Sequence, residues 1–396
     1  MRIGIDGRPR GSWRTGIGNY VHGLVQLLPQ VAPGHQYFLY SNKEIDLALD
    51  ETRVRKQIDG SFRLWPGSLW HLTRCGGLAR KDRLDVFWST AAILPAHMPA
   101  GVFKIVTVYD LVWLRFPETM TGYTFLVHKM CARRAITSAD LIVVISRSTG
   151  DDLVRLLGVP TQKIKLVYPG ISERYKPQGP EKAAAYISAK YRVPLRYMAA
   201  VGTVEPRKNL KLLVEVLRIL KSNGQLDCPL LVAGAKGWKN SHLFQEIQAA
   251  RLTENEIRFL GYLPDEDLPF FYAGAQLFLF PSLYEGFGFP PLEAMACGTP
   301  VIASNARCMP EVLGDAAILQ SPTNANSFAD AVARVLADES LRRSLRVAGI
   351  QQAQRFRWES SVKQLLEAFE RPASVDQTDA SVANETERRS NAPVLS

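Results

Sequence analysis

Short runs of β-branched and other apolar residues recur along the chain, separated by stretches of helix length. Ile3 and Ile5 alternate like a strand at the start. Ile105–Val108, Leu141–Ile145, Lys165–Tyr168, Met198–Val201, Leu230–Ala233, Leu277–Phe280 and Val301–Ala303 follow. Between most of them lie helix-length segments, such as Asn209–Lys221 and Ser241–Leu252. Strands alternating with helices predict βαβ units and parallel sheets, an α/β fold.

The breaks in this pattern predict two domains. A single domain usually holds about 100–200 residues, and the chain has 396. Pro177, Gly179 and Pro180 interrupt it amid polar residues, a short helical stretch and Val193–Pro194 follow, and a new strand starts at Tyr197–Val201. The first domain is read as 1–170 and the second as 190–354. Residues 355–371 read as an amphipathic helix that packs back on the first domain. Residues 372–396 are polar without periodic apolar content and read as a disordered tail.

Composition narrows the class. The chain is 46% hydrophobic and 22% charged, as in a soluble globular protein. No stretch approaches the roughly 18 consecutive apolar residues of a membrane span. The opening MRIGIDGRPR has no apolar signal core, so cytoplasmic residence is expected. Five cysteines without C-x-x-C spacing argue against a disulfide framework or a zinc site.

Charge changes the picture only when it is divided. Residues 1–176 hold 24 Lys and Arg against 14 Asp and Glu, whereas residues 177–396 balance at 24 each. The whole net charge of +10 therefore lies in the first half. That asymmetry predicts an anionic partner: a phosphorylated acceptor, a membrane surface or a nucleic acid. No helix-turn-helix, RRM or zinc-finger pattern supports nucleic acid. Lys129 and Arg133 share a helical face. With Arg134, Arg63, Arg74, Arg80, Lys81 and Arg83, and with Trp65, Leu69 and Trp70, they predict a basic surface with exposed aromatics that could rest on an anionic leaflet. Solvated helices over core tryptophans are the competing reading.

The most informative segment is Phe280–Ser304, FPSLYEGFGFPPLEAMACGTPVIAS. A strand runs into a loop with Glu285, Gly286 and Gly288; Pro290 and Pro291 suit a first helical turn, and Glu293 is placed in that turn. A glycine loop against a helix N-terminus offers backbone N–H groups to an anion such as a diphosphate. Glu293 could then accept from ribose hydroxyls and Glu285 could reach the sugar. A plain helix-start acid is the other explanation of Glu293.

The E-x7-E pattern of Glu285 and Glu293 resembles the signature of retaining glycosyltransferase family 4, which has the GT-B architecture: two Rossmann-like doubly wound domains facing a central cleft. Gly202-Thr203-Val204-Glu205-Pro206-Arg207-Lys208-Asn209 is similar to the family's first donor-domain strand, loop and helix. Phe259-Leu260-Gly261-Tyr262-Leu263-Pro264 is similar to its base-contacting strand and turn, Gly16-Ile17-Gly18-Asn19-Tyr20 to its glycine loop, and Arg355-Phe356-Arg357-Trp358-Glu359 to the start of its C-terminal helix. The resemblance spans nearly all of 1–370.

It implies that Arg207 and Lys208 clamp the donor diphosphate, and that Gly202 belongs to the same donor site. Glu293 would hold the ribose and Tyr262 would lie against the base. Glu285, with Gly286, Phe287, Gly288 and Phe289, would orient the sugar. Gly16, Ile17 and Gly18 would approach the phosphate from the first domain. It implies no metal and no cofactor beyond the nucleotide-sugar, which is a co-substrate. Tyr109, followed by Asp110, stands where relatives commonly carry a histidine near the reaction centre. A phenol can donate a hydrogen bond but does not titrate near neutral pH. Asp110 remains an acceptor-side polar group.

The segments look most like mannosyltransferases that use GDP-mannose in surface polysaccharide synthesis, with a polyprenyl-diphosphate-linked or other anionic glycan as acceptor. A UDP-sugar donor stays open. So do a nucleotide-sugar epimerase on the same fold, against which E-x7-E with Arg207-Lys208 argues, and a non-catalytic partner subunit, which only Tyr109 favours.

Overall fold

The computed structural model describes residues 1–8, 16–45, 52–62, 66–238 and 241–370. Arg63, Trp65 and the stretch read as a disordered tail lie outside the described residues. Two parallel sheets organise the chain. The first contains β1 (Arg2–Asp6), β2 (Gln36–Ser41), β3 (Val54–Ile58), β4 (Val86–Ser89), β5 (Phe103–Val108), β6 (Leu141–Val144) and β7 (Ile164–Leu166) in the order β3-β2-β1-β4-β5-β6-β7. The second contains β8 (Met198–Val201), β9 (Leu230–Ala233), β10 (Ile257–Gly261), β11 (Leu277–Phe280), β12 (Val301–Ser304) and β13 (Ile318–Gln320) in the order β10-β9-β8-β11-β12-β13. Both orders reverse beside their first strand, at β1/β4 and at β8/β11. Open α/β sheets bind ligands at such switch points, beyond the strands' carboxyl ends.

The registers follow from burial on both faces. Ile3 lies opposite Tyr37 and Val86, and Met198 opposite Leu230 and Leu277. Along β2, Tyr37 and Leu39 join one apolar cluster and Phe38 and Tyr40 another, the two-residue alternation of a strand. The cluster of Ile3, Tyr20 and Trp88 continues to Phe278 and Met295, so one core runs between the domains.

After the second sheet the chain returns to the first. The helix Trp358–Phe369 places Trp358 6.2 Å from Tyr20 and Phe369 6.0 Å from Trp88, ring to ring. A Cβ on Gly23 would overlap the Trp358 ring. Lys165 pairs with Glu367 at 2.7 Å.

Three expectations need correction. The segment expected to be helical over Ser241–Leu252 is helical over Ser241–Ala249. Glu293 is the fifth residue of the helix Phe289–Ala296, beyond its first turn. Trp70 is no exposed aromatic: it is fully buried and its indole N–H donates to Asp59 at 3.1 Å, while Leu69 beside it is exposed. No helix among the described residues is long and apolar enough to cross a membrane.

Candidate active site

Strand ends bring the chemistry together. β8 ends at Val201, and the chain climbs through Gly202 and Glu205 into the 3-10 turn Pro206–Lys208. β11 ends at Phe280 and leads to Glu285. These two exits flank the second switch point, so Glu285 meets both cations. Lys208 Nζ lies 2.6 Å and Arg207 3.0 Å from its carboxylate. Arg207 also donates to Glu205 at 2.6 Å and to the Tyr284 carbonyl at 2.8 Å. The aliphatic stem of Lys208 passes over Gly202.

The Glu285 carboxyl sits in opposing fields. Burial raises its pKa, but Lys208 and Arg207 outweigh burial and set it at about 2. Arg207 is pushed above its ordinary value: burial opposes its charge, and Glu285, Glu205 and Asp110 more than offset that. Two cations and two carboxylates thus hold one another in a fixed, partly desolvated cluster.

The glycine loop after Glu285 touches the first domain. A Cβ on Gly286 would overlap the carbonyl oxygen of Tyr109, so only glycine permits this approach. Gly288 adopts φ +100°, and a Cβ there would overlap Met309. Phe287 points into the core, 5.4 Å from Phe356, and its carbonyl accepts from the Cys308 thiol at 3.3 Å. Phe289 packs near Gly16, which opens the helix Gly16–Val31. Gly16 and Ile17 are exposed and Gly18 is buried. The starts of the helices Gly16–Val31 and Phe289–Ala296 therefore lie side by side.

Two cavities flank that opening. Ile17 lines one of about 660 Å³, together with Tyr109, Asp110, Glu205, Arg207 and Trp238. Asn19 lines the other, about 520 Å³, together with Arg174, Tyr175, Phe289 and Glu293. In the first cavity Tyr109 donates its hydroxyl to the Thr90 carbonyl at 2.8 Å and packs edge-on to Tyr20 at 5.6 Å. Burial, with Tyr20 and Asp6 nearby, pushes the phenol well above its ordinary pKa. Asp110 accepts from the Val112 N–H at 3.1 Å.

In the second cavity Glu293 is buried and accepts from Tyr272 at 2.8 Å. Burial pushes it up to about 7, against the hydrogen bonds of Tyr272 and Tyr175 and the charge of Arg174. Arg174 pairs with Asp265 at 3.1 Å, and the Tyr262 hydroxyl lies 3.4 Å from the same carboxylate. Tyr262 itself is 58% exposed at the end of β10.

Sequence reasoning brought out Glu285, Arg207 and Lys208 but passed over several neighbours. Glu205 stands within the quoted motif, and its acid two places before an arginine was the available signal. Arg174 and Tyr175 were taken for linker. Tyr284, next to Glu285, was also passed over: its hydroxyl accepts from the Leu111 N–H at 2.9 Å and donates to Asp152 at 3.3 Å, both in the first domain.

Comparison with known proteins agrees with this arrangement. The family "Glycosyltransferase Family 4" matches residues 14–174 and "Glycosyl transferases group 1" matches 190–352. O-antigen chain mannosyltransferase B of Escherichia coli is 33% identical over 275 residues, 69% of this chain and 72% of that protein. The serotype-specific mannosyltransferase WbdA of Escherichia coli is 28% identical over 62% of this chain, which spans only 30% of WbdA. Among solved structures, sucrose-phosphate synthase from Thermosynechococcus elongatus superposes with a TM-score of 0.72 at 20% identity, covering 93% of this chain and 98% of that one. The two doubly wound sheets, the cationic pair at their switch point and these matches lead to one assignment: the chain belongs to glycosyltransferase family 4 and is a glycosyltransferase of GT-B architecture.

Proposed function

We propose that the protein transfers mannose from GDP-mannose, with retention of anomeric configuration, to a lipid-diphosphate-linked glycan in surface polysaccharide synthesis. The observation that carries this reading is the convergence of Arg207, Lys208 and Glu285 at the β8/β11 switch point, beside a cavity to which both domains contribute. The mannosyltransferase relatives support the choice of sugar.

Each residue has a physical task in this scheme. Arg207 and Lys208 stabilise the charge that grows on the departing diphosphate. Their fixed pairing with Glu285 and Glu205 means little reorganisation is needed when the donor arrives. Backbone N–H groups of Gly286–Gly288 and of the Gly16–Gly18 helix start face the same anion. Glu285 orients sugar hydroxyls, Glu293 the ribose, and Tyr262 lies against the base. With charge supplied by side chains, the scheme uses no metal. The leaving phosphate oxygen takes the acceptor's proton. Tyr109 cannot do so, because burial keeps its phenol protonated and its O–H donates to the Thr90 carbonyl. The acceptor end occupies the cavity of Tyr109 and Asp110.

The membrane part of the proposal rests on Leu126 (53% exposed) and Met130 (65% exposed), with Lys129 and Arg133 exposed on the same helical run. Apolar groups flanked by cations suit the cytoplasmic, anionic face of a membrane. Replacing Arg207, Lys208 or Glu285 by alanine should lower transfer from GDP-mannose by about 100-fold or more in a protein that still folds, as circular dichroism would show. Full transfer by any of the three removes the role assigned to it.

A further inference from the structure

The cavity beside Tyr109 contains an ionisable group without a task. The helical run from Gly122 to Ser138 is broken by a π turn at His128–Ala132. Such a turn adds a residue to the helical register and re-aims the side chains after it; π turns concentrate at functional sites. His128, the first residue of this turn, lines the cavity wall with Asp110, Tyr109, Glu205 and Arg207.

The other ionisable groups on this wall are committed. Tyr109 is bonded to Thr90, one oxygen of Asp110 accepts from the Val112 N–H while its carboxylate has a second oxygen, and Arg207 is bonded to Glu205 and Glu285. Among the described residues His128 has no hydrogen-bond partner. The surrounding wall is apolar, with Ile93, Trp113, Val127 and Ile136. A half-buried imidazole with open hydrogen-bonding capacity, facing a carboxylate across an apolar cavity, is arranged to read a hydroxyl-bearing molecule. Burial lowers the pKa of His128 while Asp110 opposes the shift, so the neutral ring, one donor and one acceptor, is favoured.

We propose that His128 is an acceptor-specificity residue: its imidazole and Asp110 hold a hydroxyl of the acceptor's terminal sugar in this cavity. The assignment rests on the glycosyl-transfer reading. It differs from the role expected of a residue at position 109, because His128 would select the acceptor without touching the donor.

The test compares the wild type with His128→Phe and His128→Asn, using GDP-mannose and alkyl mannosides as acceptors. His128→Phe should raise the acceptor KM about tenfold, while the KM for GDP-mannose moves less than twofold. His128→Asn, which keeps a donor and an acceptor, should recover part of the loss. An unchanged acceptor KM in His128→Phe overturns the assignment, and so does a parallel rise in both KM values. If His128→Phe unfolds, His128→Asn and His128→Gln provide the same KM comparison, with equal loss in both KM values as the overturning result. A wild-type enzyme with no acceptor-dependent turnover on any sugar-nucleotide counts against glycosyl transfer itself and removes both readings.

Discussion

Glu285 and Glu293 have the same side chain and opposite electrostatic settings. Cations hold Glu285 ionised at about 2, while Glu293, with two tyrosines and a more distant arginine, is pushed to about 7. The sign of the consequence differs for each. Glu285 adds stability above the ordinary glutamate value of 4.5, which is lost as pH falls toward 2. Glu293 adds stability below 4.5, which is lost as pH rises through 7. If Glu293 accepts from the ribose it does so best as the carboxylate, so GDP should bind more tightly at pH 8 than at pH 6. Glu293→Gln should flatten that difference, as calorimetric titration of both proteins with GDP would show. Parallel pH profiles in the two proteins would sink the ribose assignment. The two glutamates stand out in the sequence because a glycine loop and a proline helix start flank them. Their settings do not, because Tyr175, Tyr272 and Arg174 come from distant stretches.

At the scale of elements, the loop Glu285–Gly288 and the helix it opens carry the proposed donor contacts. Gly286 lies against Tyr109, so Gly286→Ala must push the domains apart or tilt the loop. Transfer should fall at least tenfold in this variant with far-ultraviolet circular dichroism unchanged; unchanged kcat/KM would show that the contact is dispensable. Buried parallel strands were readable because they are continuous apolar runs. Met198–Val201, Leu230–Ala233 and Leu277–Phe280 coincide with β8, β9 and β11. The π turn at His128 was not readable, since it is a change of backbone hydrogen bonding within a stretch that reads as helical throughout. Trp70 misled for a related reason: a tryptophan among arginines reads as surface, yet its N–H reaches Asp59 from inside the core.

At the scale of the whole molecule, the helix Arg147–Leu157 of the first domain is held by the second. Arg307 bonds to Asp152, which is buried and also accepts from Arg115 and Tyr284. Glu311 accepts from the Arg147 and Ser148 N–H groups at 2.7 and 3.2 Å, a carboxylate at a helix N-terminus. Tyr284 joins this contact to Glu285 through one peptide, so the interdomain contact and the proposed donor site are neighbours along the chain. Asp152→Asn should loosen the contact, increase the radius of gyration in solution scattering and lower transfer several-fold; an unchanged scattering curve would mean that other contacts set the closure. In the basic first half, Lys129 and Arg133 are both exposed. Reversing both charges should weaken sedimentation with anionic vesicles, and undiminished binding would remove the membrane role.

The central claim, retaining transfer of mannose from GDP-mannose, is tested most directly by proton NMR of the product formed with an alkyl mannoside acceptor. The donor's α configuration should reappear in the new linkage, and Arg207→Ala and Glu285→Ala should suppress its anomeric signal. A β-linked product, or no sugar transferred from GDP-mannose while another nucleotide-sugar is consumed, would contradict the account.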